Sequence, residues 1–223
     1  MIKISEMVAI AAGVFCVMTL ISPLSASVIA LDNTSNLTAS ITNNLGSIST
    51  TTWNEKVFTT GTIDTTINSI SLALYGNDLA GDYTINFKLY EVSSDNSYKP
   101  TGTALASVSG TVTLTTSAAY YTFAGIFSEF TLDANSTYGI VVSSTSLGTY
   151  CSWTNIQDTN TIYTASNGFT YVAGRRTTNS GTTWYSSTFY NAMQITVVPE
   201  PSTYAMCSGL LVLALAARRR IKR

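Results

Sequence analysis

The chain has 223 residues, with 11 lysines and arginines against 12 aspartates and glutamates, and no histidine at all. Without imidazole there is no Ser-His-Asp triad, no Cys-His nucleophile pair and no histidine zinc site. The formal net charge of −1 hides basic ends around an acidic middle. Residues 31–198 hold ten acidic and five basic side chains, a difference of −5, which argues against nucleic acid as a partner.

In chain order, Lys3 gives a positive start, residues 7–21 are apolar, and small residues precede possible cleavage points after Ala26 or Ala30. This pattern predicts a secretory signal peptide over residues 1–30, in a helix, passed through the secretion machinery to signal peptidase. Cys16 follows Val14 and Phe15, too bulky for a lipidation site. The 168 residues from 31 to 198 are enough for one domain. With Cys16 in the leader and Cys207 near the end, Cys151 is left alone in that domain. No internal disulfide is possible there, and a buried small hydrophobe is the expectation for its thiol.

Threonine fills 34 of the 168 positions, and with Tyr, Ser, Val and Ile it favours extended chain. Residues 31–52 read as a lead-in segment or an edge strand. The domain proper, 53–198, reads as all-β. Strands are expected at 53–59, 67–75, 83–92, 104–114, 120–123, 137–142, 149–153, 168–173, 183–185 and 192–198. Ile70, Leu72 and Leu74 share one face of the second, and Ile85, Phe87 and Leu89 one face of the third. The loop 76–82 between those two reads as a hairpin connection. Residues 158–167 and 175–181 read as long loops at one end. About eight to ten short strands without a fixed repeat suggest a jelly-roll-like β-sandwich.

Five features in order, Phe58-Thr-Thr-Gly61, Asn86-Phe-Lys-Leu-Tyr-Glu91, Lys99-Pro100-Thr-Gly102, Thr137-Tyr-Gly-Ile-Val-Val142 and Cys151-Ser-Trp153, span most of 53–197. The region resembles the choice-of-anchor R domains, which pair one β-domain with different anchoring tails. The resemblance implies a jelly roll and no catalytic set.

Candidate chemistry is sparse. A glycosidase needs two carboxylates flanking a cleft; Glu55, Glu91 and Glu129 are present, but spacing does not pair them. Asp78, Asp82, Asp95 and Asn96 read as turn formers rather than calcium ligands. No catalytic residue, metal site or cofactor is expected. Tyr150, Trp153, Tyr163, Phe169, Tyr171, Trp184 and Tyr185 gather in the last third beside Arg175-Arg176. Flat rings among polar neighbours suit sugar stacking, so Tyr150, Trp153, Tyr171, Trp184 and Tyr185 are the candidate glycan platform, against the alternative that they fill the core. Thr111, Thr113 and Thr115 place hydroxyls at about 6.7 Å spacing on one strand face, a single row. Asn33, Asn36 and Asn135 fit the glycosylation acceptor pattern.

The chain ends in Pro199-Glu200-Pro201, an uncharged stretch 204–217, and the basic cluster Arg218, Arg219, Arg220, Lys222 and Arg223. Fourteen helical residues reach about 21 Å, short of the roughly 30 Å of a hydrocarbon core. The five cations are costly to translocate, which predicts that they act as a membrane stop on the cytoplasmic side. This tail, 199–223, resembles the PEP-CTERM sorting signal of Gram-negative bacteria that make extracellular polysaccharide. The resemblance implies an exosortase-type membrane protease as partner and a route from a membrane-held precursor to the envelope, cell surface or matrix. Together these readings predict an exported, non-catalytic structural or adhesive protein associated with exopolysaccharide, with a carbohydrate-binding module as the alternative and a glycoside-active enzyme a distant third.

Overall fold

A computed structural model describes residues 26–34, 45–77, 79–92, 97–145, 151–156, 163–188 and 190–200. All of these but Ala26 lie in one compact unit, Ser27–Glu200. The predicted transmembrane helix and residues 1–25 of the predicted signal peptide fall outside the described residues; residues 28–30 at the end of that predicted segment are strand rather than helix.

The unit is all-β and antiparallel. Its strands are β1 (Val28–Asp32), β2 (Leu45–Ile48), β3 (Trp53–Thr59), β4 (Thr65–Gly76), β5 (Gly81–Glu91), β6 (Ala106–Leu114), β7 (Ala119–Ala124), β8 (Thr131–Leu132), β9 (Thr137–Ser144), β10 (Cys151–Ile156), β11 (Thr164–Ala165), β12 (Thr170–Thr177), β13 (Tyr185–Ser187), β14 (Tyr190–Asn191) and β15 (Met193–Pro199). Sheet A runs β11-β1-β15-β4-β10-β14, with β7 and β8 also on β4 and β2 also on β10; sheet B runs β13-β12-β3-β9-β5-β6. Ten of these strands have five residues or more, in line with the expected number; of the others, β13 overlaps the strand expected at 183–185 and the rest are short pieces that the sequence does not mark.

Period-two alternation builds the core. Ile67, Ile70, Leu72 and Leu74 of β4 and Ile195 and Val197 of β15 meet Phe58 of β3, Ile85, Phe87 and Leu89 of β5, and Ile140 and Val142 of β9, all fully buried. Each such side chain contributes about 1.5–3 kcal/mol of burial. Phe87 and Phe123 close the gap between the sheets edge to face, with centroids 4.9 Å apart.

Three expectations are corrected. The β4–β5 connection is not a hairpin, because β4 pairs within sheet A and β5 within sheet B. Both strands carry a strong apolar face, and the chain crosses the sandwich so that those faces meet. Arg175 and Arg176 are not in a loop: β12 continues to Thr177, paired with β3 from Thr59 to Trp53. The domain also begins earlier than residue 53. Strand β1 pairs with β15 and β11, and β2 pairs with β10, so both halves of the lead-in contribute to sheet A.

Sheet A is interrupted where β14 gives way to β15. The carbonyl of Asn191 is taken up there by side chains, while that of Ala192 keeps the Ala73 amide of β4 at 3.2 Å and gains a side-chain donor as well. Asn33 Nδ2 and the Tyr163 hydroxyl donate to Asn191 O at 3.1 and 2.7 Å, and Trp153 Nε1 donates to Ala192 O at 2.8 Å. The Met193 amide donates to Asn33 Oδ1 (2.7 Å), and Asn191 Nδ2 donates to Trp153 O (3.0 Å). Gly46 passes so close to Asn191 that a Cβ would strike its amide. Asn33, fitting the acceptor pattern for glycosylation, is buried and fully engaged. Replacing Asn33 by Ala orphans the Met193 amide, so we predict a loss of about 1–3 kcal/mol of stability, read as a lower urea midpoint at unchanged m-value.

Candidate functional site

The outer face of sheet B carries a continuous set of polar side chains. Because Tyr83, Ile85, Phe87 and Leu89 point into the core, alternation turns Asp82, Thr84, Asn86, Lys88 and Tyr90 outward. The register with β6 sets Ser107, Ser109, Thr111 and Thr113 beside them. Ser109 Oγ donates to Asn86 Oδ1 (2.7 Å) and Thr113 Oγ1 to Asp82 Oδ1 (2.6 Å). The expected threonine row is thus part of a longer ladder of hydroxyls, from which Thr115 is excluded: it lies past the strand end and bonds Ser117 O.

A groove of about 290 Å³ opens in this face, with Trp53, Asn86, Lys88, Ser109 and Ser143 among its walls. The indole of Trp53 is fixed in place. Its Nε1 donates to Thr50 O at 3.0 Å, Lys88 Nζ sits 5.1 Å from the ring centroid, and Gly181, at φ +88°, packs where a Cβ would come within 2.9 Å of Cζ3. The sequence points to none of this, since nothing in Trp53-Asn-Glu-Lys-Val-Phe58 says which of two alternating sets faces solvent.

Beneath the same face lies Glu55, fully buried. Its carboxylate occupies the space over Gly139, so that a side chain there would collide with it. Neither oxygen has a hydrogen-bond partner among the described residues. Burial holds this carboxyl well above the ordinary glutamate range, opposed by the charges of Arg175 and Lys56. Lys56 points the other way, into the sandwich, with Nζ 5.6 Å from the Trp153 ring centroid. Burial lowers its ammonium from 10.5 to about 7, with Glu55 pulling it back up.

The predicted glycan platform is dispersed. Trp153 is fully buried and hydrogen-bonded in sheet A. Tyr171 stacks on Tyr163 with centroids 4.4 Å apart, and Phe169 stacks on Phe58 at 5.8 Å. These rings have apolar bodies and sit between the sheets, where burial stabilises them more than exposure would. Trp184 is half-buried, Tyr185 is 57% exposed, and Tyr150 lies outside the described residues. Arg175 pairs in register with Glu55 and donates from Nη1 to Ser186 Oγ (2.7 Å).

The carboxylates separate too. Glu91 shares a cavity of about 330 Å³ with Asp133 and Tyr138, whereas Glu129 lines another of about 540 Å³ with Phe127 and Phe130, beside the start of β6. Of the possible calcium ligands, Asp82 is engaged with Thr113; Asp78, Asp95 and Asn96 lie outside the described residues. Cys151 is buried, as its isolation predicts, and burial pushes its thiol up to about 12.

No family model matches the chain, and no curated protein does. The geometry must therefore speak for itself at the C-terminal motif as well. Pro199 ends β15 opposite Thr65. The Glu200 amide donates to Asp64 O at 2.8 Å, and Thr66 Oγ1 donates to Glu200 Oε1 at 2.7 Å. The first two residues of the motif thus belong to the sandwich; Pro201, the stretch 204–217 and the cations Arg218, Arg219, Arg220, Lys222 and Arg223 lie outside the described residues.

The Lys56 shift has a pH consequence. Unfolded chain binds that proton with the higher pKa, so between about 7 and 10.5 it holds more protons than folded protein, and stability rises with pH. Lys56→Met removes the desolvation cost. We expect it to stabilise the protein by about 1 kcal/mol or more at pH 7, and to flatten the rise in stability that wild type shows between pH 7 and 9 in denaturant titrations.

Proposed function

We propose that the protein is an exported, envelope-sorted β-sandwich with a non-catalytic, structural or adhesive role in an extracellular polysaccharide layer. The leader, the jelly-roll-like domain and the PEP-CTERM-like tail form one precursor. Secretion machinery and signal peptidase act at the first end, and an exosortase-type protease acts at the last. The observation that supports this best is where the sandwich stops. Its final ladder closes at Glu200 through Asp64 and Thr66, and the oily stretch and the cations follow that last strand in the chain. Delivery is the use that the length and charge of such a segment suit.

The two cleavage points are not equivalent for folding. Cutting after Ala30 removes Val28, Ile29 and buried Ala30 from β1; cutting after Ala26 leaves the strand whole. Protein recovered from its native host should therefore begin at Ser27 and lack residues 204–223, which intact mass and N-terminal sequencing read directly. Retention of both ends in soluble cytoplasmic material overturns the proposal.

A second reading, a saccharide-binding module, is favoured by the groove at Trp53 rather than by the C-terminal rings. An immobilised indole beside Lys88, Asn86 and serine hydroxyls offers an apolar plane and polar groups together. On this reading Trp53→Leu weakens binding to polysaccharide in glycan titrations by about tenfold, or 1.4 kcal/mol. Tyr185→Ala leaves it unchanged. The opposite pattern returns the platform to the last third of the chain.

A further inference from the structure

Strand β6 closes one side of sheet B, and no strand among the described residues pairs with its far edge. Of the other strands paired on one side only, β8, β11, β13 and β14 have three residues or fewer, β2 has four and β7 has six, whereas β6 has nine. Long edges are normally blunted by a charge, a proline or a bulge. The segment Ala-Ser-Val-Ser-Gly-Thr-Val-Thr-Leu has neither charge nor proline, and its register with β5 runs from Leu89↔Ala106 to Gly81↔Leu114 without a shift.

The groups offered at this edge can be assigned. The Thr145 amide donates to Thr84 O from the β9 side, so even-numbered residues of β5 spend their backbone groups on β9 and odd-numbered ones on β6. Ile85 lies opposite Gly110. Even-numbered residues of β6 are therefore bonded to β5, and Ser107, Ser109, Thr111 and Thr113 aim their amides and carbonyls outward. Their side chains lie on the solvent face, while Ala106, Val108 and Val112 remain only partly buried against the core. A cavity of about 540 Å³ leaves the 105–108 end of the strand open on one side.

The strand also reads nearly the same in both directions about Gly110. We infer that β6 is the dimer edge of this protein, pairing antiparallel with β6 of a second copy on a two-fold axis at Gly110. In that register Ser109 meets Thr111 of the second copy and Ser107 meets Thr113. These are the residues whose backbone groups point outward, so each pairing is a doubly hydrogen-bonded one. On the inner face Val108 meets Val112 and Ala106 meets Leu114, apolar against apolar. On the outer face hydroxyl meets hydroxyl, a favourable cross-strand pair. The two glycines form the narrow central pair, with no Cβ on either side; a Cβ at Gly110 would come within 2.7 Å of Phe123 Cδ1. Lys88, opposite Ser107, falls in the same rank as Asp82 of the second copy, so the flanking charges are complementary. Pairing of this kind is isologous and consumes both free edges, giving a closed dimer rather than a fibre.

Sedimentation velocity of the full chain in detergent micelles tests the dimer. Wild type should sediment as two chains per particle. Ser109→Lys with Thr111→Lys sets lysine against lysine twice across the axis; both sites are exposed, and circular dichroism checks that the fold persists. This variant should raise the dissociation constant at least about tenfold, the cost of like charges directly opposite. Ser109→Lys with Thr111→Asp sets lysine against aspartate in the same register and should restore the dimer. A wild type that stays monomeric at the highest attainable concentration overturns the inference. So does a double-lysine variant that dimerises as tightly as wild type, or a lysine–aspartate variant no better than the double lysine.

Discussion

The break in sheet A between β14 and β15 is the constraint around which the sandwich is organised. A ladder can be interrupted inside a protein only if the backbone groups it abandons find other partners. Here Asn191 O finds Asn33 from the first strand's end and Tyr163 from the segment before β11, and Trp153 from β10 joins the Ala73 amide on Ala192 O. Three distant parts of the chain are thereby tied to one point. The tie also lets the chain between Asn191 and Met193 change partners. Before the break it pairs with β10, and after it with β4 and β1. Without that change of partner, sheet A has no place for both β10 and β15 beside β4.

This explains why Trp153 and Tyr163, two rings of the aromatic cluster in the last third, are buried. A ring with one polar atom is suited to a binding face, but equally to a core in which one backbone carbonyl needs a donor. Composition does not separate the two uses. What separates them is whether a ladder breaks nearby, a property of topology rather than of local sequence. Trp53 illustrates the reverse. It begins an ordinary strand, and its half-exposed position follows from the face that Phe58 takes in the core. The true strands β3, β6 and β9 were legible because threonine, valine and alternating apolar residues fit a pleated surface wherever it lies. The β4–β5 crossing was not legible, since two apolar-faced strands joined by seven residues satisfy a hairpin and a bridge between sheets equally well. Strand β1 was hidden for another reason: Val28-Ile-Ala-Leu31 follows a leader made of the same residues.

Glu55 and Lys56 are a second instance in which pattern alone misleads. Adjacent opposite charges in a strand normally face solvent or pair across it. Here the strand is central in sheet B, so its two faces are both covered, one by the opposing sheet and one by Tyr90, Val92 and Arg175. Consecutive residues of a strand point opposite ways, and the two charges cannot contact each other directly however close they are in sequence. Each is desolvated on its own side, which is why burial dominates both shifts. The sandwich tolerates the cost because the hydrophobic core between its sheets is extensive.

The first and last strands of the domain are neighbours, with Val28 opposite Val197. The chain therefore enters and leaves sheet A at the same end. The opposite arrangement, with termini at opposite ends, suits a domain strung between two attachments; this one suits a domain held from one end with its other surfaces free. Among those surfaces, the outer face of sheet B and the edge of β6 are the ones that carry hydroxyls and unspent backbone groups. They belong to strands β5 and β6, three and four places along the sheet from β12 and separated from β1 and β15 by the whole core. Val28 and Pro199, at the end where the chain enters and leaves sheet A, therefore belong to the sheet across the core from the edge of β6.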